Sequence, residues 1–216
     1  MKKNIALMQM ISLQELSHAM RSFSILLFAA SLYACSGTTV KEDGQPETTV
    51  ARQGLAHVDV DTDVKRDFNS AIRLLQQGDN EQAIAVLSSV IEREQRLPAP
   101  YVNIAIAYNR IGDRDAAEKN LISALKLDIS HPVANNELGL IYRKAGKFNA
   151  ARTAYQNAIA KHPEYLPARK NLGVLCDLYT HDYQCALEQF EGYLELKPDD
   201  ETVTIWVADL KQRLGQ

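Results

Sequence analysis

One interval governs the chain beyond residue 63: small residues return every 34 positions. Gly78, Gly112 and Gly146 keep it, as do Ala83, Ala117 and Ala151, and so do Ala71, Ala105, Gly139 and Gly173. Composition alone does not set three such series in phase. A period of this length is that of paired helices, each pair unable to bury its apolar face and completed by its neighbours in a stack. The small residues fall where two helices must cross closely: Ala105, Gly139 and Gly173 on the first helix of a pair, Ala83, Ala117 and Ala151 on the second. Large residues fill the layers beside them, with Ile104, Leu138 and Leu172 from first helices and Leu87, Leu121, Tyr155 and Phe190 from second helices. Gly78-Asp79, Gly112-Asp113 and Gly146-Lys147 end the first helices, since glycine takes the left-handed cap conformation without a Cβ clash. Pro98, Pro132, Pro163 and Pro198 mark the changes of unit, where one helix stops and the next restarts.

The third period carries Leu138, Gly139, Tyr142, Ala151, Tyr155, Ala158 and Pro163 in order, with Asn135 where an aromatic residue leads the pattern. This set resembles the tetratricopeptide repeat. The resemblance implies an all-α, right-handed superhelical solenoid of about four helical hairpins, at residues 64–97, 98–131, 132–165 and 166–200, with a capping helix at 201–216. The repeat domain as a whole is expected at 62–216. Its last segment, ETVTIWVADLKQRLGQ, places Val203, Trp206, Val207 and Leu210 on one face and Lys211 and Arg213 on the other, as a terminal cap requires.

The fourth unit departs from the pattern. CDLYTHDYQCALEQF holds one extra residue before Ala186 and no turn glycine. Cys176 takes the place of Tyr108 and Tyr142 in the earlier units, and Cys185 lies just past the turn, so their sulfurs can meet across the hairpin. A disulfide closing a loop of about ten residues stabilises by roughly 2.5–3 kcal/mol on the chain-entropy estimate. The alternative is a metal site of Cys176, His181 and Cys185 with Asp182 beside them, at a spacing that matches no familiar zinc pattern.

Chemistry of the enzymatic kind has no foothold. His131 and His162 close second helices, His57 lies before the repeats, and no nucleophile-base pair, zinc-hydrolase motif or phosphate-binding glycine loop occurs. No cofactor is expected. In the repeat family partners contact the concave row of first helices. That resemblance assigns the row here to Phe68, Ile72 and Leu75, then Val102, Ile106 and Asn109, then Asn136, Leu140 and Arg143, then Lys170, Val174 and Asp177. With Arg110, Arg143, Lys144 and Lys170 along one side, such a groove suits an amphipathic helix or extended segment with some acidic residues. Ile72, Ile106 and Leu140 read equally as core, because apolar residues at helical spacing are core by default. Chaperone-binding members clamp a terminal carboxylate with lysine and asparagine, where this chain has Phe68, Ile72 and Val102; no such clamp is expected.

Ahead of the repeats stands SILLFAASLYACSG, whose apolar run from Ile25 to Ala34 is about half of the roughly 20 residues that a membrane span needs. Lys2, Lys3 and Arg21 precede it and small residues close it, the layout of a secretory signal, here 1–34, with Met20 opening a compact signal of its own. Leu32, Ala34 and Cys35 resemble the lipobox of bacterial lipoproteins, which implies cleavage before Cys35, lipidation of its thiol and amine, and a stable anchor, since two or more acyl chains hold where one does not. A secretory signal cut elsewhere, with Cys35 incidental, is the other reading. Ser36 is not the aspartate that retains such proteins at the inner membrane, so the implied address is the periplasmic face of the outer membrane of a Gram-negative cell. Residues 35–61, rich in Thr, Gly and charge, form the tether.

The chain's formal charge is −3, and losing residues 1–34, which carry Lys2, Lys3, Arg21 and Glu15, a net of +2, leaves about −5. That balance excludes a general phosphate-backbone binder, so no nucleic acid is expected. The expectation is a lipid-anchored scaffold whose partner is another protein, similar to the repeat lipoproteins that assemble type IV or Flp pili and their secretins. An adaptor for periplasmic proteases or peptidoglycan hydrolases and an accessory of a TonB-type system are the alternatives.

Overall fold

The computed structural model describes residues 59–216, so the signal segment, Cys35 and the tether as far as residue 58 lie outside the described residues. Among the described residues nine α-helices follow one another: α1 Thr62–Gln77, α2 Asn80–Arg93, α3 Pro98–Arg110, α4 Arg114–Leu127, α5 Pro132–Lys144, α6 Phe148–Ala160, α7 Leu166–Val174, α8 Tyr183–Leu194 and α9 Glu201–Leu214. A π-helical turn, Leu175–Tyr179, extends α7. Among the described residues there is no strand, and no helix is long and apolar enough to cross a membrane.

Local chemistry sets the helix ends. Pro98 and Pro132 open α3 and α5, where a missing N–H costs nothing. Asp61, Asp113, Asp182 and Asp200 cap α1, α4, α8 and α9 by accepting from backbone N–H groups, and His131 does the same for α5 through Nδ1, 3.3 Å from the Ala134 nitrogen. Gly78, Gly112 and Gly146 sit at φ of 87°, 90° and 72°, and each lets the chain fold back with the same bond from the residue that follows it: Asp79 N to Leu74 O, Asp113 N to Tyr108 O, Lys147 N to Tyr142 O, all 2.9 Å.

The fourth unit makes that bond differently. Asp182 N donates to Cys176 O at 2.8 Å, but with one residue more in the ring. The widened turn, closed by Thr180 N on Leu175 O at 3.1 Å, takes up the extra residue, and His181 adopts the left-handed conformation (φ 51°) that glycine supplies elsewhere. The sequence showed the insertion; it did not show that helix α7 would widen to hold it.

Each helix packs on the next, and the first helices of neighbouring units also touch, α1 with α3, α3 with α5 and α5 with α7. The result is the superhelical stack of hairpins, with a core that runs through it in three linked clusters: around Phe68, Leu75 and Leu87; around Val102, Leu121 and Leu138; and around Tyr155, Leu172, Phe190 and Leu210. Each such side chain, fully withdrawn from water, contributes about 1.5–3 kcal/mol. Gly139 and Gly173 are required by contact: a Cβ at either would overlap the ring of Tyr155 or Phe190. The cap helix buries Val203, Val207 and Leu210 and half-buries Trp206 against Phe190, ring centroids 5.2 Å apart.

Candidate protein-binding face

The inner row of first helices divides into two parts. Phe68 and Ile72 of α1, and Val102 and Ile106 of α3, are at most 5% exposed and belong to the core clusters. Asn136 of α5 is fully buried as well; its Oδ1 accepts from Asn171 Nδ2 at 2.9 Å and its Nδ2 donates to Glu137 Oε1 at 3.2 Å. These five positions, expected to line a groove, are packing residues, and Leu75 joins them. The reason lies in the ambiguity of helical spacing: a stripe of apolar residues looks the same whether it meets a ligand or the next helix.

The remaining expected residues keep some surface. Asn109 is half-buried, and Arg110 donates to Leu75 O at 2.8 Å, tying the second unit to the first. Leu140 and Val174 are half-buried beside the third cluster. Lys170 is engaged within the fold: its Nζ lies 3.7 Å from Asp200, 5.8 Å from the Tyr193 ring centre and 5.4 Å from that of Trp206, so it braces the cap. Asp177 pairs with Arg213 at 3.0 Å, and Arg213 also binds Asp209 and lies over the Tyr183 ring.

Arg143 and Lys144 stand apart from this bracing. Arg143 lies 5.6 Å from the centre of the Tyr179 ring, Lys144 is exposed, and Lys147 lies 5.5 Å from the centre of the Tyr142 ring. Tyr179 meets Phe148, centroids 5.2 Å apart, and its neighbour Leu178 is 62% exposed. These contacts gather the turn ends of the third and fourth hairpins into one cationic and aromatic surface. Leu178, Tyr179, Lys147 and Phe148 were absent from the residues picked out by sequence. A signal for them existed: residues 138–163 hold Arg143, Lys144, Lys147, Arg152 and Lys161 and not one acid, in a chain of net charge −3.

Beneath this surface lies Tyr155. It is fully buried, its hydroxyl has no hydrogen-bond partner, and burial pushes its pKa upward while the nearby charges of Arg143 and Glu137 act on it in opposite senses. A buried donor without an acceptor is costly, on the order of 1–3 kcal/mol.

At the fourth turn the structure joins Cys176 to Cys185, Cα atoms 5.9 Å apart. Asp182 Oδ1 accepts from Cys185 N at 3.1 Å, while Arg152 reaches across from α6 to Asp182 Oδ2 (3.0 Å) and Thr180 Oγ1 (3.1 Å). Donor atoms of Cys176, Asp182 and Cys185 come within 4.8 Å of one another, and His181 is not among them. With the sulfurs bonded to each other and the carboxylate occupied, this group holds no thiolate to offer a metal.

A tetratricopeptide repeat model matches residues 136–201, and a second matches residues 99–129. Those two stretches are tetratricopeptide repeats. The repeat chain resembles solved structures of the same fold. MamA from Desulfovibrio magneticus RS-1 superposes with a TM-score of 0.60 at 22% identity, over 72% of this chain and 87% of that one. Pseudomonas aeruginosa pilF gives 0.62 at 21%, over 77% and 70%. The first repeat domain of Spaghetti (RPAP3), bound to the HSP90 peptide SRMEEVD, gives 0.50 at 21%, over 55% and 96%. At this identity the likeness is one of fold, and the family models indicate no enzymatic family.

Proposed function

We propose that this chain is a lipid-anchored periplasmic scaffold that binds a segment of another protein and so assembles or localises an envelope complex of the pilus or secretin kind. The observation that carries the binding role is the surface at the third and fourth hairpins, where exposed Leu178 and Tyr179 adjoin Arg143, Lys144 and Lys147 on a disulfide-braced turn. The repeat fold supports it, since a related stack was solved with a peptide bound. The lipobox-like Leu32, Ala34 and Cys35 support the anchor at the periplasmic face of the outer membrane, and the likeness to pilF supports the choice of system.

Two measurements test this reading. Cys35→Ala should move the protein from the membrane pellet to the soluble periplasm; retention in the pellet removes the anchor. Crosslinking of the full chain in envelopes, followed by affinity isolation, should recover an envelope component joined near the fourth turn. If the native chain recovers none, the scaffold role fails.

A further inference from the structure

The acid-free stretch falls within one hairpin and specifies a ligand more narrowly than the repeat fold does. Among the described residues Arg143, Lys144, Lys147 and Lys161 form no salt bridge, although Arg152 of the same hairpin has one with Asp182. Of the acids that border the surface, Asp177 and Asp209 pair with Arg213 and Asp182 with Arg152, while Glu118 of α4 accepts from the Tyr142 hydroxyl. What remains is positive charge on tyrosine faces with a bare leucine beside it. Arg143, half-buried over the Tyr179 ring, is partly desolvated and so binds a counter-charge better than a mobile surface lysine does.

We propose that this turn end, with Arg143, Lys144 and Lys147 around Tyr142 and Tyr179 and with Leu178 at its rim, docks an acidic segment of a partner protein, one carboxylate of which is received by Arg143. The proposal rests on the scaffold reading and adds the partner's chemistry to it. A carboxylate supplies the counter-charge that the Arg143 guanidinium, which forms no salt bridge among the described residues, does not find within the fold. Apolar residues between the acids would cover Leu178 and Tyr179. A protein segment fits better than an anionic membrane, because a narrow strand can lie along the cations and miss Asp177, Asp182 and Asp209, while a flat field of headgroups meets them all.

The test uses the full chain in detergent and a fluorescent dodecapeptide, Asp-Leu-Glu-Phe repeated three times, against its neutral counterpart Asn-Leu-Gln-Phe. Binding should favour the acidic peptide by about tenfold or more, and the preference should weaken as salt shortens the reach of exposed charge. Arg143→Gln with Lys147→Gln should abolish the preference, and Lys126→Gln on α4 should leave it intact, each variant first showing a native thermal unfolding curve. Equal affinity for both peptides, or a preference that survives the Arg143→Gln, Lys147→Gln pair, overturns the docking site. Vesicles of phosphatidylglycerol bound by the native chain and released by the double variant, with no peptide discrimination, would assign the surface to lipid instead. Envelope crosslinking separates the two levels: a partner recovered equally by native and double variant sinks the site and leaves the scaffold, whereas no partner with the native chain sinks the scaffold.

Discussion

The first two hairpins and the last two fill the same slot in opposite ways. At the helix crossing, units one and two set Ala71 against Leu87 and Ala105 against Leu121, while units three and four set Gly139 against Tyr155 and Gly173 against Phe190. A methyl with a branched aliphatic side chain has been exchanged for bare backbone with an aromatic ring, and the crossing stays filled. Packing density is conserved while chemistry changes. The inner row follows the same division: apolar and buried in the first half up to the half-buried Asn109, with Arg143 and the Asn136–Asn171 pair in the second. A solenoid tolerates this because each unit answers only to its neighbours, so one half can serve as core and the other as a surface.

The crossing is the sharpest place to test that contrast. Gly139→Ala should cost about 3 kcal/mol in urea unfolding, since its Cβ would overlap the Tyr155 ring. Adding Tyr155→Leu, which recreates the pair of unit two, should return most of it, and the coupling in the double-mutant cycle should be large. Additive losses would mean that the two slots are not equivalent.

Next in size is the fourth turn. Reduction of Cys176–Cys185 should remove roughly 2.5–3 kcal/mol, read as a lowered melting temperature under reductant that a chain with both cysteines replaced by alanine does not show. An unaltered melt would leave the widened turn and Arg152 as sufficient bracing.

The cap comes third. Asp200 caps α9, accepts from the Tyr193 hydroxyl at 2.9 Å and lies near Lys170; burial resists its ionisation, yet these contacts prevail and hold its carboxyl below the usual range. Asp200→Ala should cost about 2 kcal/mol. Its folded pKa is depressed, so its contribution is complete above the ordinary carboxylate value and is lost as pH falls through the folded one. The native chain should lose cap stability on acidification below about pH 4, and the variant should not show that component.

Smaller still is His181→Gly, which gives the fourth turn the residue type of the other three. Relief of a left-handed backbone at a side-chain-bearing residue should stabilise by about 1 kcal/mol; a loss would mean that the imidazole has work of its own. Least of all is the cap of α5. Burial lowers the pKa of His131, so the unfolded chain takes up the proton first; the stability it provides is full above the ordinary histidine value and is lost as pH falls below that. His131→Ser should remove well under about 1 kcal/mol of pH dependence between pH 7 and 5. A pH profile identical to the native one would clear His131 of the effect.

The fold was legible because a 34-residue period fixes helices, turns and crossings together: Gly78, Gly112 and Gly146 announce their turns, and Gly139 its close contact. The site was less so. Whether Phe68, Ile72, Val102 and Ile106 face a partner or a neighbouring helix depends on how tightly adjacent units close, which no spacing encodes. Leu178 and Tyr179 could not be placed, because their exposure follows from a hydrogen-bond shift in the backbone at Leu175–Tyr179 rather than from any side-chain pattern. The run of cations without acids from 138 to 163 was visible in the letters; its meaning required the Tyr142 and Tyr179 rings that gather it.

The widened turn bears on how such a gene can grow. Twelve positions separate Gly139 from Ala151 and thirteen separate Gly173 from Ala186. A single inserted codon inside a regular helix rotates everything after it by about 100°, which would have swung Ala186, Leu187 and Phe190 out to water and undone the last quarter of the array. The π-turn absorbs that codon on the spot and hands the next helix on in phase. Duplicated units can therefore drift apart in length as well as in sequence, provided the drift falls at the tips, where inherited novelty also meets the outside world.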